Sequence, residues 1–182
     1  LETLDEVISS VIAPAATAVD AEGAFPAAGI AALGSAGLLG LTSAAEVGGL
    51  GQGLRAAAEV VERLGAVCGS TAMVTMMHYA AAGVVEAHGP RSVREAVARG
   101  EHLLTLAFSE AGSRSQFWVP QSTATKDGAN VRLDASKSWV TSAGSARSYV
   151  WSSRPLAAEG PMSLWLVPSD AAGLRVAAVY DG

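Results

Sequence analysis

Only one cysteine, Cys68, occurs in the 182 residues, so no disulfide can form within the chain and a reducing, cytoplasmic setting is the expected one. Cys68 lies in the apolar run AVCGSTAMV, where a thiol is expected to be buried and inert. Basic residues are missing from positions 1–50, which hold six acidic side chains (Glu2, Asp5, Glu6, Asp20, Glu22, Glu46) and neither Lys nor Arg. With a net charge of −5, this argues against a nucleic-acid arm or a secretory n-region at that end, and no nucleic-acid partner is expected. No stretch approaches the roughly 18 unbroken apolar residues of a membrane span. The run from Ala80 to Val85 soon meets Glu86 and His88, so no membrane partner is expected either.

Catalytic patterns that spacing alone identifies are also missing. There is no GxGxxG or Walker-type phosphate loop and no nucleophile elbow, and His78, His88, His102 and Cys68 lack metal-ligand spacing, so no metal is expected. His78, in a mostly apolar segment, reads as a hydrogen-bonded core residue. Aromatic residues make up only 5% of a chain that is 50% hydrophobic, which favours closely packed, Ala- and Gly-rich helices over a core of large rings.

What is present changes its period near residue 101. Leu4, Val7, Ile8, Val11 and Ile12 mark one helical face, with Pro14 expected to end or kink it. A short helix should follow Phe25-Pro26, and Glu46-Val-Gly-Gly-Leu-Gly51 should be a loop. Leu54, Ala57, Ala58, Val61 and Leu64 give an amphipathic helix; Ser70 or Thr71 is expected to cap an apolar one through Val85, and Ser92 to Arg99 a short polar one. After Glu101, short runs rich in Val, Leu, Trp, Tyr and Thr alternate with turn residues. Seven strands are expected, over 103–109, 122–126, 131–135, 138–141, 148–152, 163–167 and 174–179. The expected fold is α+β: an all-α helical domain over 1–100, then an antiparallel β-barrel or sandwich over 101–182.

Two stretches could carry chemistry. In Leu106-Ala-Phe-Ser-Glu-Ala-Gly-Ser-Arg-Ser115 a strand runs into a small, polar loop able to grip a phosphate or a planar heterocycle, or simply to turn. In Trp139-Val-Thr141, strand alternation would put a flat ring and a hydroxyl on one face; the alternative is a core Trp and an ordinary strand Thr.

Four segments in order resemble the acyl-CoA dehydrogenase family: Asp20 to Pro26 (D-x-x-x-x-F-P), Glu46 to Gly51 (E-x-G-G-x-G), Ser109 to Ser113 (T-E-P-x-A-G-S-D) and Lys137 to Thr141 (K-x-W-I-T-N). The resemblance implies an N-terminal helical domain, a middle β-domain that binds FAD, and a C-terminal helical bundle. It implies that Leu106, Phe108, Ser109, Trp139, Val140 and Thr141 contact the cofactor, with the Trp139 ring against the flavin and the Thr141 hydroxyl near its N5. Gly112 and Ser113 would meet the acyl-CoA substrate. The implied reaction is α,β-dehydrogenation of an acyl-CoA, with an electron-acceptor flavoprotein as partner and a homodimer or homotetramer as the assembly. The family's base is a Glu of the C-terminal bundle, so no catalytic residue is assigned here, Glu110 is expected to be structural, and the chain is expected to be roughly the first half of an enzyme. The sequence departs from the pattern in a shorter loop without Pro, in Arg114 where the family has Asp, and in Ser142 where it has Asn. The shortened loop and Arg114 keep open a flavin-dependent monooxygenase served by a partner reductase; a non-catalytic scaffold member of the family is the third reading.

Overall fold

The apolar face that begins at Leu4 runs through a helix that Pro14 does not end. In the computed structural model, which describes residues 2–114, 116–156 and 159–176, α1 (Glu2–Val7) widens into a π-helical turn (Ile8–Ile12) and continues as α2 (Ala13–Glu22). The Ala13 N–H donates to the Ile8 carbonyl, and Pro14 in the first turn of α2 has no N–H to leave unpaired. The helix therefore does not end at Pro14 but passes it through a π turn.

Four more α-helices follow among the described residues: α3 (Ala27–Ser35), entered through Pro26, then, after a single 3-10 turn at Ala45–Val47, α4 (Leu54–Gly65), α5 (Gly69–His88) and α6 (Arg91–Ala98). Helix α5 is central and buries Thr71, Val74, Thr75, His78, Tyr79, Ala81, Ala82 and Val85. Its N-cap is Cys68 rather than Ser70 or Thr71, and the Thr71 hydroxyl donates back to the Cys68 sulfur at 3.2 Å. Leu4, Ile12, Leu33, Leu39, Val60 and Leu64 pack with it in one cluster. Each such fully buried aliphatic side chain stabilises the fold by about 1.5–3 kcal/mol.

The 40–51 connection folds back on itself. Leu50 and Gln52 donate backbone bonds to Gly40 and Leu41, and Gly51 donates to Ser43. Two of its glycines are required by contact. A Cβ on Gly40 would lie 2.2 Å from the Ala98 carbonyl oxygen, and one on Gly49 would lie 2.2 Å from that of Ser43. Glu46 at the head of the glycine segment is tied to α6 by Arg94, which also pairs with Glu86 of α5, at 2.8 and 2.9 Å.

Five of the seven expected strand runs are strands: β1 (Leu104–Ala107), β2 (Thr123–Asp127), β3 (Asn130–Asp134), β4 (Ser148–Ser153) and β5 (Ser163–Pro168). They form a sheet in the order β1-β4-β5 and a separate β2-β3 hairpin. The α+β class stands, helices first and strands second. The pairings are antiparallel except that β1 runs parallel to β4, Leu104 opposite Ser148 through Ala107 opposite Trp151, and no closed barrel forms among the described residues. Residues 138–141 are not a strand because Trp139 adopts φ 56°, which breaks the pleat. Residues 174–176 carry no strand, and 177–179 lie outside the described residues.

Ala81, Ala82 and Val85 of α5 pack against Leu104 and Val150, joining helices to sheet. His78 completes the joint. The Leu104 N–H donates to Nδ1 at 3.1 Å, so Nε2 carries the proton and donates to the Leu39 carbonyl at 3.0 Å. The adjacent Tyr79 hydroxyl donates to the Leu38 carbonyl at 2.7 Å. No helix among the described residues is long and apolar enough to cross a membrane.

Burial is the main force on His78, lowering its pKa from 6.5 to about 4. Between those values the unfolded chain holds a proton that the folded chain does not. The contribution of the neutral imidazole is therefore complete above pH 6.5 and is lost as pH falls toward 4. Denaturant titrations across that interval should show wild-type stability falling by up to about 3 kcal/mol more than that of His78→Gln; parallel curves would show that His78 is not the group responsible.

Candidate functional site

A carboxylate and an ammonium, each in a different loop, are buried against one another beside β1. Glu110 follows the end of β1 and Lys137 precedes β4; their side chains are only 5% and 3% exposed, and the Lys137 Nζ lies 2.5 Å from the Glu110 Oε1. Backbone pairing accompanies the contact, through a bridge between residues 110 and 137 and a 2.9 Å bond from the Ser138 N–H to the Ser109 carbonyl.

Both groups are saturated. Glu110 Oε2 accepts from the N–H groups of Gln121 and Ser122 at 2.9 and 2.8 Å, and Oε1 accepts from the Ser122 hydroxyl at 2.6 Å as well as from Lys137. Lys137 also donates to the carbonyls of Ser152 and Phe108 at 2.7 and 3.3 Å, lies 3.1 Å from the Ser152 hydroxyl, and sits 5.4 Å from the centre of the Trp151 ring. Burial pushes the Glu110 carboxyl up, but the bonds from Lys137 and Ser122 outweigh it and hold the group below the usual carboxylate range. For Lys137 burial prevails and pulls the ammonium down, with Glu110 opposing. The two shifts pull oppositely on the pair. The charged form is the one the geometry requires, because a neutral amine could not supply every acceptor placed around Nζ. Glu110 is thereby occupied as a structural anion.

The segment from Lys137 to Thr141 runs back along β1, ending where the Thr105 hydroxyl donates to the Thr141 carbonyl at 2.6 Å. The two proposed edges are thus brought together. Leu106 lies on β1, half-buried, and packs with Phe108 against the α5 contact. Ser109 is half-buried, and its carbonyl accepts from the Ser138 N–H. Gly112 is exposed at φ 88°, whereas Ser113 is buried and donates its N–H to the Glu110 carbonyl at 3.1 Å. Val140 packs beside Ala107, Ala146 and Tyr149. Thr141 is half-buried, and its hydroxyl makes no hydrogen bond among the described residues. Trp139 is 82% exposed, its ring presented to solvent. Alternation does not produce that display, since no strand exists there; the left-handed backbone does.

Backbone strain concentrates at this edge. The non-glycine residues with positive φ among the described residues are Arg114 (50°), Trp139 (56°) and Ser142 (64°), all in these two loops. A bulky side chain in that region costs about 1–3 kcal/mol and persists only where its surroundings impose it. The Ser142 hydroxyl is buried and has no partner among the described residues. In the segment that leads to Gln121 and Ser122, Phe117 and Trp118 form an exposed edge-to-face pair with centroids 5.0 Å apart. A ring held out under strain, with a hydroxyl two residues on that has no partner among the described residues, suits a flat heterocycle bearing hydrogen-bonding atoms. No cluster of His, Cys, Asp or Glu among the described residues could hold a metal ion.

Sequence reasoning named the residues of this edge but missed that Lys137 pairs with Glu110 beside them. The available signal was a lone cation in one motif and a lone anion in the other, each within two positions of a proposed cofactor contact.

The profile of the acyl-CoA dehydrogenase N-terminal domain matches residues 1–100, and that of the acyl-CoA dehydrogenase middle domain matches residues 105–182. The human mitochondrial short-chain specific acyl-CoA dehydrogenase is 28% identical over 189 residues, a match covering 100% of this chain and 46% of that protein. The chain thus spans about half the length of the curated relatives it matches. Among solved structures, the nitrososynthase of Micromonospora carbonacea var. africana superposes with a TM-score of 0.79 at 27% identity, covering 100% of this chain and 48% of that one. KijD3 in complex with FMN and dTDP-3-amino-2,3,6-trideoxy-4-keto-3-methyl-D-glucose gives 0.80 at 25% identity, covering 100% of this chain and 47% of its own.

Because the Trp139 ring is exposed and its backbone strained, Trp139→Asn should leave stability unchanged or raise it by up to about 1 kcal/mol, Asn tolerating the left-handed region. Denaturant unfolding checks this; a loss above about 2 kcal/mol would mean that the ring is packed in the fold.

Proposed function

This chain belongs to the acyl-CoA dehydrogenase family, and we propose that it supplies the flavin-binding edge of an FAD-dependent enzyme that dehydrogenates an acyl-CoA between its α and β carbons. The observation that carries the reading is Trp139, an aromatic ring displayed to solvent in a strained conformation two residues before Thr141. On this reading residues 1–100 form the helical domain and 101–182 the middle domain. An electron-acceptor flavoprotein, a homo-oligomeric assembly and a cytoplasmic location belong to the same proposal.

When bound, the flavin supplies a ring that accepts the β-hydrogen as hydride. The chain's own residues orient that ring and keep water from it. Trp139 covers one face, where an indole gives broad contact at a cost of only two side-chain torsions. Thr141 and Ser109 offer hydroxyls to the ring's polar rim, and Val140, packed beside Ala107, backs it with an apolar side chain, while Leu106 and Phe108, whose side chains pack toward α5, would meet it through main-chain atoms. Gly112 and Ser113 lie on the loop that would meet the substrate, Gly112 exposing backbone for close approach. Glu110 cannot serve as the base that removes the α-proton, since both its oxygens are engaged and its carboxyl is held in the ionised, weakly basic range. The base is assigned to the rest of the protein.

A second reading is favoured by the similarity to the nitrososynthase and to KijD3, together with Arg114 in place of an acidic residue. On that reading the edge holds reduced flavin delivered by a reductase, and the protein oxygenates its substrate.

The full-length protein, purified, should carry oxidised FAD that bleaches anaerobically with at least one acyl-CoA. If no acyl-CoA bleaches it, while turnover requires oxygen and a flavin reductase, the second reading replaces the first. Trp139→Asn and Thr141→Val should each weaken flavin binding about tenfold, as read by retention of yellow colour and titration of the flavin-free protein. Affinities within twofold of wild type for both would remove the edge from the cofactor site.

A further inference from the structure

We propose that the Glu110–Lys137 pair is the positioning element of the flavin edge: it imposes the left-handed conformation at residue 139 and so holds the Trp139 ring toward the cofactor. The inference rests on the flavin reading above and assigns roles to two residues that touch neither flavin nor substrate.

Anchor points on both sides of Trp139 carry the argument. On its N-terminal side, Lys137 is pinned by Glu110, Ser152 and the Phe108 carbonyl, and Ser138 by its N–H bond to Ser109. On its C-terminal side, the Thr141 carbonyl is held by Thr105. The backbone between must connect two fixed points, and residue 139 takes up the difference at φ 56°. Strain of this kind survives only where fixed neighbours impose it, and among those anchors the ion pair is the one held by opposite charges as well as by hydrogen bonds. Released from Lys137, residue 139 would relax to an ordinary backbone conformation and carry the indole away from its display.

The pair acts on the second loop as well. Through Oε2 and Oε1, Glu110 grips Gln121 and Ser122 and so closes the 111–120 loop, which contains Gly112, Ser113, Arg114 and the Phe117–Trp118 pair. One ion pair therefore sets the spacing between the flavin edge and the loop on its substrate side.

The test uses the full-length protein and a Lys137→Met/Glu110→Leu double variant, which removes the directional bonds without leaving a buried charge unpaired. Far-UV circular dichroism establishes that it folds; if it does not, Glu110→Gln takes its place. In the flavin-free protein, amide hydrogen exchange at Gln121, Ser122 and Ser138 should accelerate in the variant; unchanged exchange overturns the clamp whatever the flavin does. Flavin affinity should fall about tenfold, with an altered visible spectrum of the bound flavin. Adding Trp139→Asn to the variant should then cost less than about twofold more, because both changes remove the same ring display. Flavin affinity and spectrum equal to wild type, or a Trp139→Asn penalty equally large in both backgrounds, would overturn the proposal while leaving the flavin site itself intact. If the wild-type protein binds no FAD, the functional reading falls and this inference with it.

Discussion

A single proton on the His78 Nε2 ties the two structural parts of this chain together. The imidazole accepts from the first residue of β1 and donates to the carbonyl of Leu39, so helix α5, the connection after α3 and the edge of the sheet converge on one buried ring. Each ring nitrogen needs the other's partner. If Nδ1 carried the proton, two donors would face each other at Leu104 and the Leu39 carbonyl would lose its bond. Burial keeps the ring neutral, and neutrality is what allows it to serve as donor and acceptor at once.

From that joint β1 emerges with a fixed register against β4, and everything at the candidate site is measured from β1. Ser109 and Glu110 extend it, Thr105 reaches from it to Thr141, and Lys137 crosses beneath Phe108 to the carbonyl of Ser152 on β4. Rigid elements thus supply anchors for two loops that have little regular structure of their own. The strained residues lie in those loops, where such anchors can impose a conformation that an isolated loop would abandon. A buried ion pair adds little net stability compared with apolar residues of the same shape. Its value here is directional: an ammonium and a carboxylate with saturated hydrogen-bonding capacity permit one arrangement of four chain segments.

Much of this was legible in the sequence. Helical periodicity located α3, α4, α5 and α6 because each is amphipathic or bounded by Pro or Gly, and the change to short Val-, Thr- and Trp-containing runs located the strands that exist. The failures share a cause. The helix expected to end or kink at Pro14 does not end there but widens by a π turn, and residues 138–141 have the composition of a strand without its backbone. The cap of α5 and the parallel pairing of β1 with β4 were equally hidden. Each depends on a partner distant in the chain or on a local backbone choice that residue identity does not specify.

The sequence by itself determined the α+β order, the family and the short motifs in which the site residues sit, since period and spacing are local properties of the chain. Tertiary structure alone decided that Lys137 and Glu110 meet, that both carboxylate oxygens of Glu110 are engaged, and that Trp139 faces outward. The physical reason is that the ion pair forms across 27 positions, and the conformation of Trp139 is imposed by anchors on either side of it rather than preferred by its own side chain.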